Sequence, residues 1–282
     1  MNARLCSRPS ALSLAFIAAT AIAAESAEAR SPCDSRRLAE GPVPTGFSQA
    51  DFGVVRGACP RSEVGLGVGG RAIIESENFY GNLRGGARLD VSAQPIPSLE
   101  LFATLEPFVF HQVIQSFKAT HLGLGESSVG GTLLAFGRER FALSVTTRLS
   151  LPTSIGYHVN SWPIGFETGV LMLLEPIDEL RFHGGLLAGV RTAFTKAAVP
   201  ASGAVIGNAG VDVVLDEDWL SAVIDLNGQA LERGDLDLLA VAFGLRFVIL
   251  DEVGLEVGAN LPIAGDERHL ASAILRASYR FE

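Results

Sequence analysis

Residues 204–231 constrain the fold more than any other stretch of the chain, because two runs of strictly alternating character meet there at a short acidic turn. Apolar residues occupy every second position over residues 205–215 and again over residues 220–230. A period of two is that of a pleated strand. The opposite face carries Asn, Asp and Gln, which is too polar for an ordinary protein core. We therefore predict a membrane-type β-hairpin with lipid on one side and a wet lumen on the other.

The same alternation recurs from residue 64 onward, which indicates one all-β unit. We predict an antiparallel up-and-down transmembrane β-barrel of about twelve strands. Short turns alternate with longer connections at residues 111–120, 152–162 and 195–202, so both termini are expected in the periplasm. A secreted soluble β-sandwich is the alternative that the pattern leaves open. The expected strands are residues 64–76, 82–94, 99–111, 120–136, 140–152, 163–175, 179–194, 203–215, 219–232, 236–250, 253–263 and 270–281.

The composition of the chain excludes two other classes of protein. Hydrophobic residues make up 48% and charged residues 19% of the 282 residues, which is too apolar for a disordered chain. No apolar run after the N-terminal one is long enough to form a membrane helix. The net charge of -9 and the lack of a basic run argue against binding to nucleic acid.

The N-terminus has the pattern of an export signal. Arg4 and Arg8 precede an apolar core at residues 11–24, and residues 27–29 form a small-x-small cleavage pattern. We predict a signal peptide at residues 1–29, an N-terminal segment at residues 30–62 and a barrel at residues 63–282. A retained anchor helix is the alternative, but the apolar core is short for a span. The expected location is the outer membrane of a Gram-negative bacterium.

The N-terminal segment contains the two cysteines that remain after export, Cys33 and Cys59. In an oxidising compartment two such cysteines most often pair, so we predict a disulfide between them. A metal site is not expected, because no His lies nearby and two thiolates do not complete a tetrahedral site. The segment is expected either to lie in the periplasm or to fold into the barrel as a partial plug.

The last expected strand ends on an aromatic residue, Phe281, followed by Glu282. Outer-membrane barrels resemble one another in ending on an aromatic residue that the barrel-assembly machinery reads. We therefore expect this machinery and outer-membrane lipid to be partners of the chain.

The polar faces of the strands carry Arg and acidic side chains in nearly equal number, so the lumen is expected to be nearly charge-balanced. Ion pairs across neighbouring strands can fill much of a barrel of this size, and a wide, strongly ion-selective pore is not expected. The alternative is that these pairs only stabilise the barrel. The side chains expected to line the lumen are Arg71, Arg84, Arg88, Asp90, Glu106, Glu126, Arg148, Glu167, Arg181, Arg191, Asp212, Asp225, Asn227, Arg246, Glu256, Arg276 and Arg280.

Motifs of an enzyme are weak in this chain. Gly65, Gly67 and Gly70 have the spacing of a dinucleotide-binding loop, but the residues after them have strand rather than helix character. His158 and Ser161 share a loop without the local pattern of lipid-hydrolysing barrels. The other histidines are scattered, so we expect no catalytic residue, no cofactor and no metal.

Two short segments carry a resemblance to a known family. GLGE at residues 123–126 precedes an expected strand, and LSLPT at residues 149–153 closes the next one. This arrangement, over residues 120–170, resembles the family of transporter-like outer-membrane barrels named after meta-pathway phenol degradation. That family shows GLGD and LPTG segments, where this chain has Glu126 and Ser154. The resemblance implies transport of small apolar or aromatic compounds.

Two functions follow from these patterns. The first is a channel for passive uptake of small solutes, lined by the inward Arg and acidic side chains. The second is a closed structural or adhesion barrel whose outer loops carry the function.

Overall fold

The computed structural model describes residues 33, 43–44, 54–55, 57–75, 80–114, 118–138, 140–151, 153, 162–194, 202–216, 219–231, 236–250, 252–265 and 269–281. No helix long and apolar enough to cross a membrane occurs among them, a finding that does not bear on crossing by strands. The predicted signal peptide at residues 1–29 lies outside the described residues.

The described part of the chain is built almost wholly of β-strands. Two short ones, β1 and β2, precede the long strands of the barrel. The strands are β1 (Val43–Pro44), β2 (Val54–Val55), β3 (Glu63–Glu75), β4 (Tyr80–Ile96), β5 (Leu99–Ile114), β6 (Lys118–Gly123), β7 (Ser127–Arg138), β8 (Phe141–Leu151), β9 (Trp162–Ile177), β10 (Leu180–Phe194), β11 (Ser202–Asp216), β12 (Leu220–Leu231), β13 (Leu236–Leu250), β14 (Val253–Ala264) and β15 (His269–Arg280).

The strands from β3 to β15 form one closed antiparallel sheet. Apart from β6 and β7, each pairs with its neighbour in the chain, and β15 pairs with β3, with Arg276 opposite Gly67. Because β6 and β7 both pair with β5, one beyond the other, they make a single crossing. The described chain therefore forms a barrel of twelve crossings. The predicted barrel is confirmed, and the soluble β-sandwich is wrong.

Two details of the strands differ from the prediction. The strand expected over residues 120–136 is interrupted, and β6 ends before Gly125 while β7 begins after it. The longer connection expected over residues 111–120 shortens to residues 115–117, because β5 and β6 extend their pairing as far as Ile114 and Lys118. Continued pairing satisfies the backbone donors and acceptors that a longer loop would leave to water.

The two faces of the barrel wall have opposite character, and the apolar face is the outer one. Leu275 is 46% exposed, whereas the adjacent Arg276 is 3% exposed. The same contrast separates Ile224, at 49%, from Asp225, at 1%. An exposed apolar belt around a closed barrel is stable in lipid and costly in water. The molecule is therefore an outer-membrane β-barrel, with lipid against its outer face.

The chain enters and leaves the barrel at one end. The backbone N–H of Phe281 donates to the carbonyl of Ser62 (3.3 Å), and that of Arg280 donates to the carbonyl of Glu252 in the turn between β13 and β14 (2.8 Å). This is the end of the short turns. We call it the near end and the opposite one the far end.

The N-terminal segment is held together by a short strand pair and a disulfide, and it packs against the barrel. Val43 pairs with Val55 between β1 and β2, and β1 lies against β13 and β14. A disulfide joins Cys33 to Cys59, which confirms the predicted pair.

Candidate functional site

The lumen of the barrel collects most of the polar side chains that the structure buries. Alternation along each strand points every second side chain inward, so charged residues on this face are removed from lipid. Among the residues expected to line the lumen, Arg148 and Arg280 are partly buried, and the side chain of Arg191 lies outside the described part. The others are buried: Arg71, Arg84, Arg88, Asp90, Glu106, Glu126, Glu167, Arg181, Asp212, Asp225, Asn227, Arg246, Glu256 and Arg276.

Arg276 is the centre of a network of charges near the near end. Its guanidinium forms an ion pair and hydrogen bond with Glu63 on β3 and lies 3.4 Å from a carboxylate oxygen of Glu256 on β14. A third acid, Asp90 on β4, lies 3.8 Å away. Four strands are therefore connected through one arginine, since β15 also contributes Arg276 itself.

The network continues around the barrel through Arg246. This side chain donates to Asp212 at 2.7 Å and lies 3.6 Å from Glu256. His183 on β10 then bridges Asp212, at 3.7 Å, and Asp225, at 2.5 Å. The ion pairs of the arginines and the contacts of His183 together link β3, β4 and β10–β15 into a continuous arc. We call the inward side chains of β3, β4 and β11–β15 the charged wall.

Further ion pairs lie outside this arc. Arg148 on β8 lies 2.5 Å from Glu167 on β9, and Arg181 lies 2.5 Å from Glu175. The Arg148 side chain keeps 20% of its surface exposed, so water weakens that pair more than the pairs of Arg276.

Across the lumen an apolar patch of the inward face is covered by the N-terminal segment. Ala58 and Cys59 pack against Ala142, Leu171 and Leu173, and Cys33, Leu134 and Leu187 border this cluster. The hydroxyl of Ser144 on β8 donates to the carbonyl of Ala58. We call the inward side chains of β7–β10 that contact residues 33, 58 and 59 the packed wall.

The N-terminal segment crosses the lumen between the two walls. From Ala58 on the packed wall the chain runs to β4, where the hydroxyl of Ser92 donates to the carbonyl of Arg61 (3.0 Å). The backbone N–H of Gln94 donates to the hydroxyl of Ser62 (3.0 Å), and Arg61 pairs with Glu63 at 3.3 Å. Residues 58–62 therefore lie across the near end of the lumen.

The two motif segments, GLGE and LSLPT, come together in the structure. The interruption at Gly125 allows its backbone N–H to donate to the carbonyl of Glu106 (2.9 Å), and the backbone N–H of Glu126 donates to the carboxylate of Glu106 (3.3 Å). A side chain on Gly125 would collide with that carboxylate. The hydroxyl of Thr153 accepts the backbone N–H of Ser127 at 2.8 Å. The motif thus shapes a strand break on the lumen face.

The sequence analysis missed the apolar patches on the inner face. Residues 170–174 and 238–243 are apolar at every position, and such runs indicate strands buried on both faces. Their inward members include Leu171 and Leu173 on β9 and Ala240 and Ala242 on β13. Among the described residues, no set of three or more His, Cys, Asp and Glu could hold a metal ion.

No protein-family model and no curated protein matches the sequence. By structure, the chain is similar to an outer-membrane channel from Pseudomonas putida F1, with a TM-score of 0.57 and 13% identity over 84% of this chain and 100% of that chain. It is also similar to the β-domain of the Bordetella autotransporter BrkA, with a TM-score of 0.49 and 13% identity over 78% and 99% of the two chains. The NanC porin gives a TM-score of 0.48 and 10% identity over 78% and 99%. What the chain shares with the Pseudomonas putida structure is its fold, a closed outer-membrane β-barrel.

Proposed function

We propose that this protein is an outer-membrane channel for the passive uptake of small solutes. The observation that carries the proposal is the closed barrel whose inner face is polar and charged while its outer face is apolar. Such a wall places hydrogen-bonding groups where a solute crosses the membrane. The fold that the chain shares with an outer-membrane channel supports the same function.

We further propose that the solutes are apolar or aromatic. The resemblance of the GLGE and LSLPT segments suggests this class, and the inner wall offers apolar contacts for it. Phe102, Val109 and Val223 are inward and buried between the charged side chains.

A closed structural barrel is the second candidate, because side chains of both walls are buried from solvent. Thr132 and Ser144 are fully buried on the inner face, and the N-terminal segment crosses the near end. In the channel proposal the segment is a plug that moves. In the closed barrel it is a permanent part of the core.

Conductance in a planar lipid bilayer tests the channel. The full mature chain and a chain without residues 30–61, which lacks the stretch from Ala58 to Arg61 that crosses the lumen, are compared at equal protein concentration. The channel proposal expects discrete current steps that are small or rare in the full chain and larger in the shortened one. The absence of steps in both, with each protein showing the heat-dependent gel shift of a folded barrel, would favour the closed barrel.

A further inference from the structure

His183 on β10 lies at the boundary between the two walls of the lumen. In the register of the sheet it is opposite Leu173 on β9, which belongs to the packed wall, and opposite Gly210 on β11, which belongs to the charged wall. Asp225 on β12 follows Gly210 in the same row. The side chain of His183 keeps 12% of its surface exposed, so protons from the lumen reach it.

The missing side chain of Gly210 brings His183 and Asp225 together across the strand between them. Nε2 of His183 lies 2.5 Å from Oδ1 of Asp225. A Cβ at position 210 would collide with both of these atoms, so any other residue there would push the two side chains apart. The glycine therefore acts as a notch in β11 that allows this contact.

Both ring nitrogens of His183 face a carboxylate. While Nε2 contacts Asp225, Nδ1 lies 3.7 Å from Oδ1 of Asp212. A neutral imidazole has one N–H donor, so it donates to only one of two acceptors, whereas the doubly protonated ring donates from both nitrogens. The geometry therefore fits an imidazolium between two acids. We call the contacts of His183 with Asp212 and Asp225 the clasp.

The charged groups on the other side of His183 are paired with each other. Arg181, on the same strand, lies 2.5 Å from Glu175 on β9. The packed wall adds no charge beside His183, because Leu173 and the Cys59 that packs against it are apolar. The balance of charge around His183 is therefore decided on the side of the charged wall.

On that side, the proton of His183 balances one of two buried acids. Asp212 accepts a hydrogen bond from Arg246 on β13 (2.7 Å), and Arg246 also lies 3.6 Å from Glu256. Removing the proton from His183 takes one positive charge away from Asp212 and Asp225 and leaves them with an arginine that a third acid shares. A buried charge that loses its partner is costly. Deprotonation therefore weakens the clasp and makes this part of the lumen more negative.

We propose that His183 is a proton-dependent connection between the two walls and sets the ion preference of the lumen. The protonated ring holds Asp212 and Asp225 and offsets their charge. The neutral ring leaves an excess of negative charge, which attracts cations. The stabilisation is present at acidic pH and is lost as the pH rises through the titration of the ring. The ion preference rests on the proposed channel, whereas the clasp does not.

Urea unfolding in lipid vesicles tests the clasp at about pH 5.5 and about pH 9, on either side of the range in which imidazole changes its charge. His183→Gln keeps a hydrogen-bonding side chain without charge. Between the two pH values, the folding equilibrium constant of the wild type should fall roughly ten- to hundredfold more than that of His183→Gln, the effect of one hydrogen bond to a charged group. An equal pH dependence of the two proteins overturns the clasp.

Two glycine variants test the notch. Gly210→Ala should reduce the pH dependence to that of His183→Gln, because its methyl group separates His183 from Asp225. Gly207→Ala on the same strand is the control, since a Cβ there would lie 3.7 Å from its nearest neighbour, in ordinary contact, and the wild-type pH dependence should remain. The heat-dependent gel shift shows that each variant folds. A wild-type pH dependence in Gly210→Ala means that the clasp is wrong.

Nitrogen NMR of the wild type, labelled at histidine and held in detergent micelles, needs no variant to fold. Ring N–H protons held by carboxylates exchange slowly with water. One histidine should therefore show two observable ring N–H protons at acidic pH and lose this pair of signals at alkaline pH. The absence of such a ring at acidic pH contradicts the clasp.

Reversal potentials in a planar bilayer with a gradient of potassium chloride test the ion preference. The wild type should become more selective for potassium as the pH rises. His183→Gln should show the preference of the alkaline wild type at both pH values. A wild-type reversal potential that does not change with pH overturns the control of ion preference by His183.

These measurements separate the clasp from the channel. A protein whose stability follows the protonation of His183 but that never conducts keeps the clasp and overturns the channel. A protein that conducts, while neither its unfolding nor its reversal potential depends on His183, keeps the channel and overturns the clasp.

Discussion

The charged wall and the packed wall obey the same alternation along their strands, yet they are stabilised in different ways. On the charged wall Arg276 finds its acids on the two neighbouring strands, Glu63 on β3 and Glu256 on β14. On the packed wall the inward Leu171 and Leu173 are covered by Ala58 and Cys59 from outside the barrel sheet. The acid partners of Arg276 therefore all lie within the sheet, and Arg61 of the N-terminal segment adds one further pair to Glu63. The packed wall depends on a segment that the sheet does not contain.

The largest expected effect comes from breaking the charged wall at its centre. Arg276→Met keeps much of the side-chain volume and leaves Glu63, Glu256 and Asp90 without a shared cation. Removing one partner of a buried pair costs about 3–5 kcal/mol, because the remaining charge stays buried. The change is measured as the free energy of unfolding by urea in lipid vesicles.

Arg148→Met is the matched control for this change. Arg148 keeps 20% of its side-chain surface exposed while Glu167 is buried, so the loss should be smaller than that of Arg276→Met, because water reaches this pair and only one carboxylate loses its cation. Equal losses for the two variants would show that the arc of charges is no more important than an isolated pair.

The second effect tests whether the packed wall depends on the disulfide. Replacing Cys33 and Cys59 together by Ser removes a cross-link across 26 positions of the chain. A cross-link of this kind contributes about 2–4 kcal/mol of stability. Here its removal should weaken the packing of the N-terminal segment against the packed wall rather than the barrel itself. Hydrogen exchange at the backbone amides of Ala58 and Cys59 should accelerate. The temperature of the gel shift should stay the same, and a fall as large as that of Arg276→Met would contradict the independence of the two walls.

The third prediction tests whether the two walls differ in stability only on their inner face or also on the face that contacts lipid. Ile224 is lipid-facing behind the charged wall, and Met172 is lipid-facing behind the packed wall. Arg at a lipid-facing position near the bilayer midplane costs about 2–4 kcal/mol. Ile224→Arg and Met172→Arg should therefore destabilise the barrel equally, as measured by urea unfolding in vesicles. A much smaller loss of unfolding free energy for Met172→Arg would show that the packed wall stabilises the strands behind it against changes on the lipid-facing side.

The strands and their faces were predictable because alternation is local. The hairpin formed by β11 and β12 pairs as expected, with Val211 opposite Ile224 and both on the apolar face. Neighbours in the chain are neighbours in the barrel, so a count of alternating runs was sufficient to predict its size.

The partners of the charged residues were not predictable, because they depend on register between strands that are distant in the chain. Arg276 and Glu63 are 213 positions apart and meet only because β15 closes on β3. A local irregularity in one strand also made the inward or outward direction of some side chains unpredictable. Glu106 and Val109 are both inward while Phe108 is outward, since the register shifts between β4 and β5 beside Pro107. Simple alternation from Glu106 would place Phe108 inside.

The smallest expected effect concerns the strand break at Gly125, toward the far end of the barrel from the Cys33–Cys59 disulfide. The Thr153 hydroxyl accepts the N–H of Ser127 (2.8 Å) and lies 3.3 Å from the carbonyl of Gly125. Thr153→Val keeps the shape and removes these bonds, at a cost of about 1 kcal/mol in urea unfolding.

The control for this change is Thr168→Val on β9, which loses one bond to the carbonyl of Thr146 (3.2 Å) on the outer face of the barrel and should cost less. The backbone groups at the strand break form their hydrogen bonds with residues of the barrel itself. The cost of Thr153→Val should therefore be the same in the chain that lacks the Cys33–Cys59 disulfide. Additive costs in that double variant mean that the far end of the barrel is independent of the N-terminal segment. A cost that doubles when the disulfide is absent would mean that the segment reaches beyond the packed wall, and the division of the lumen into two walls would then be wrong.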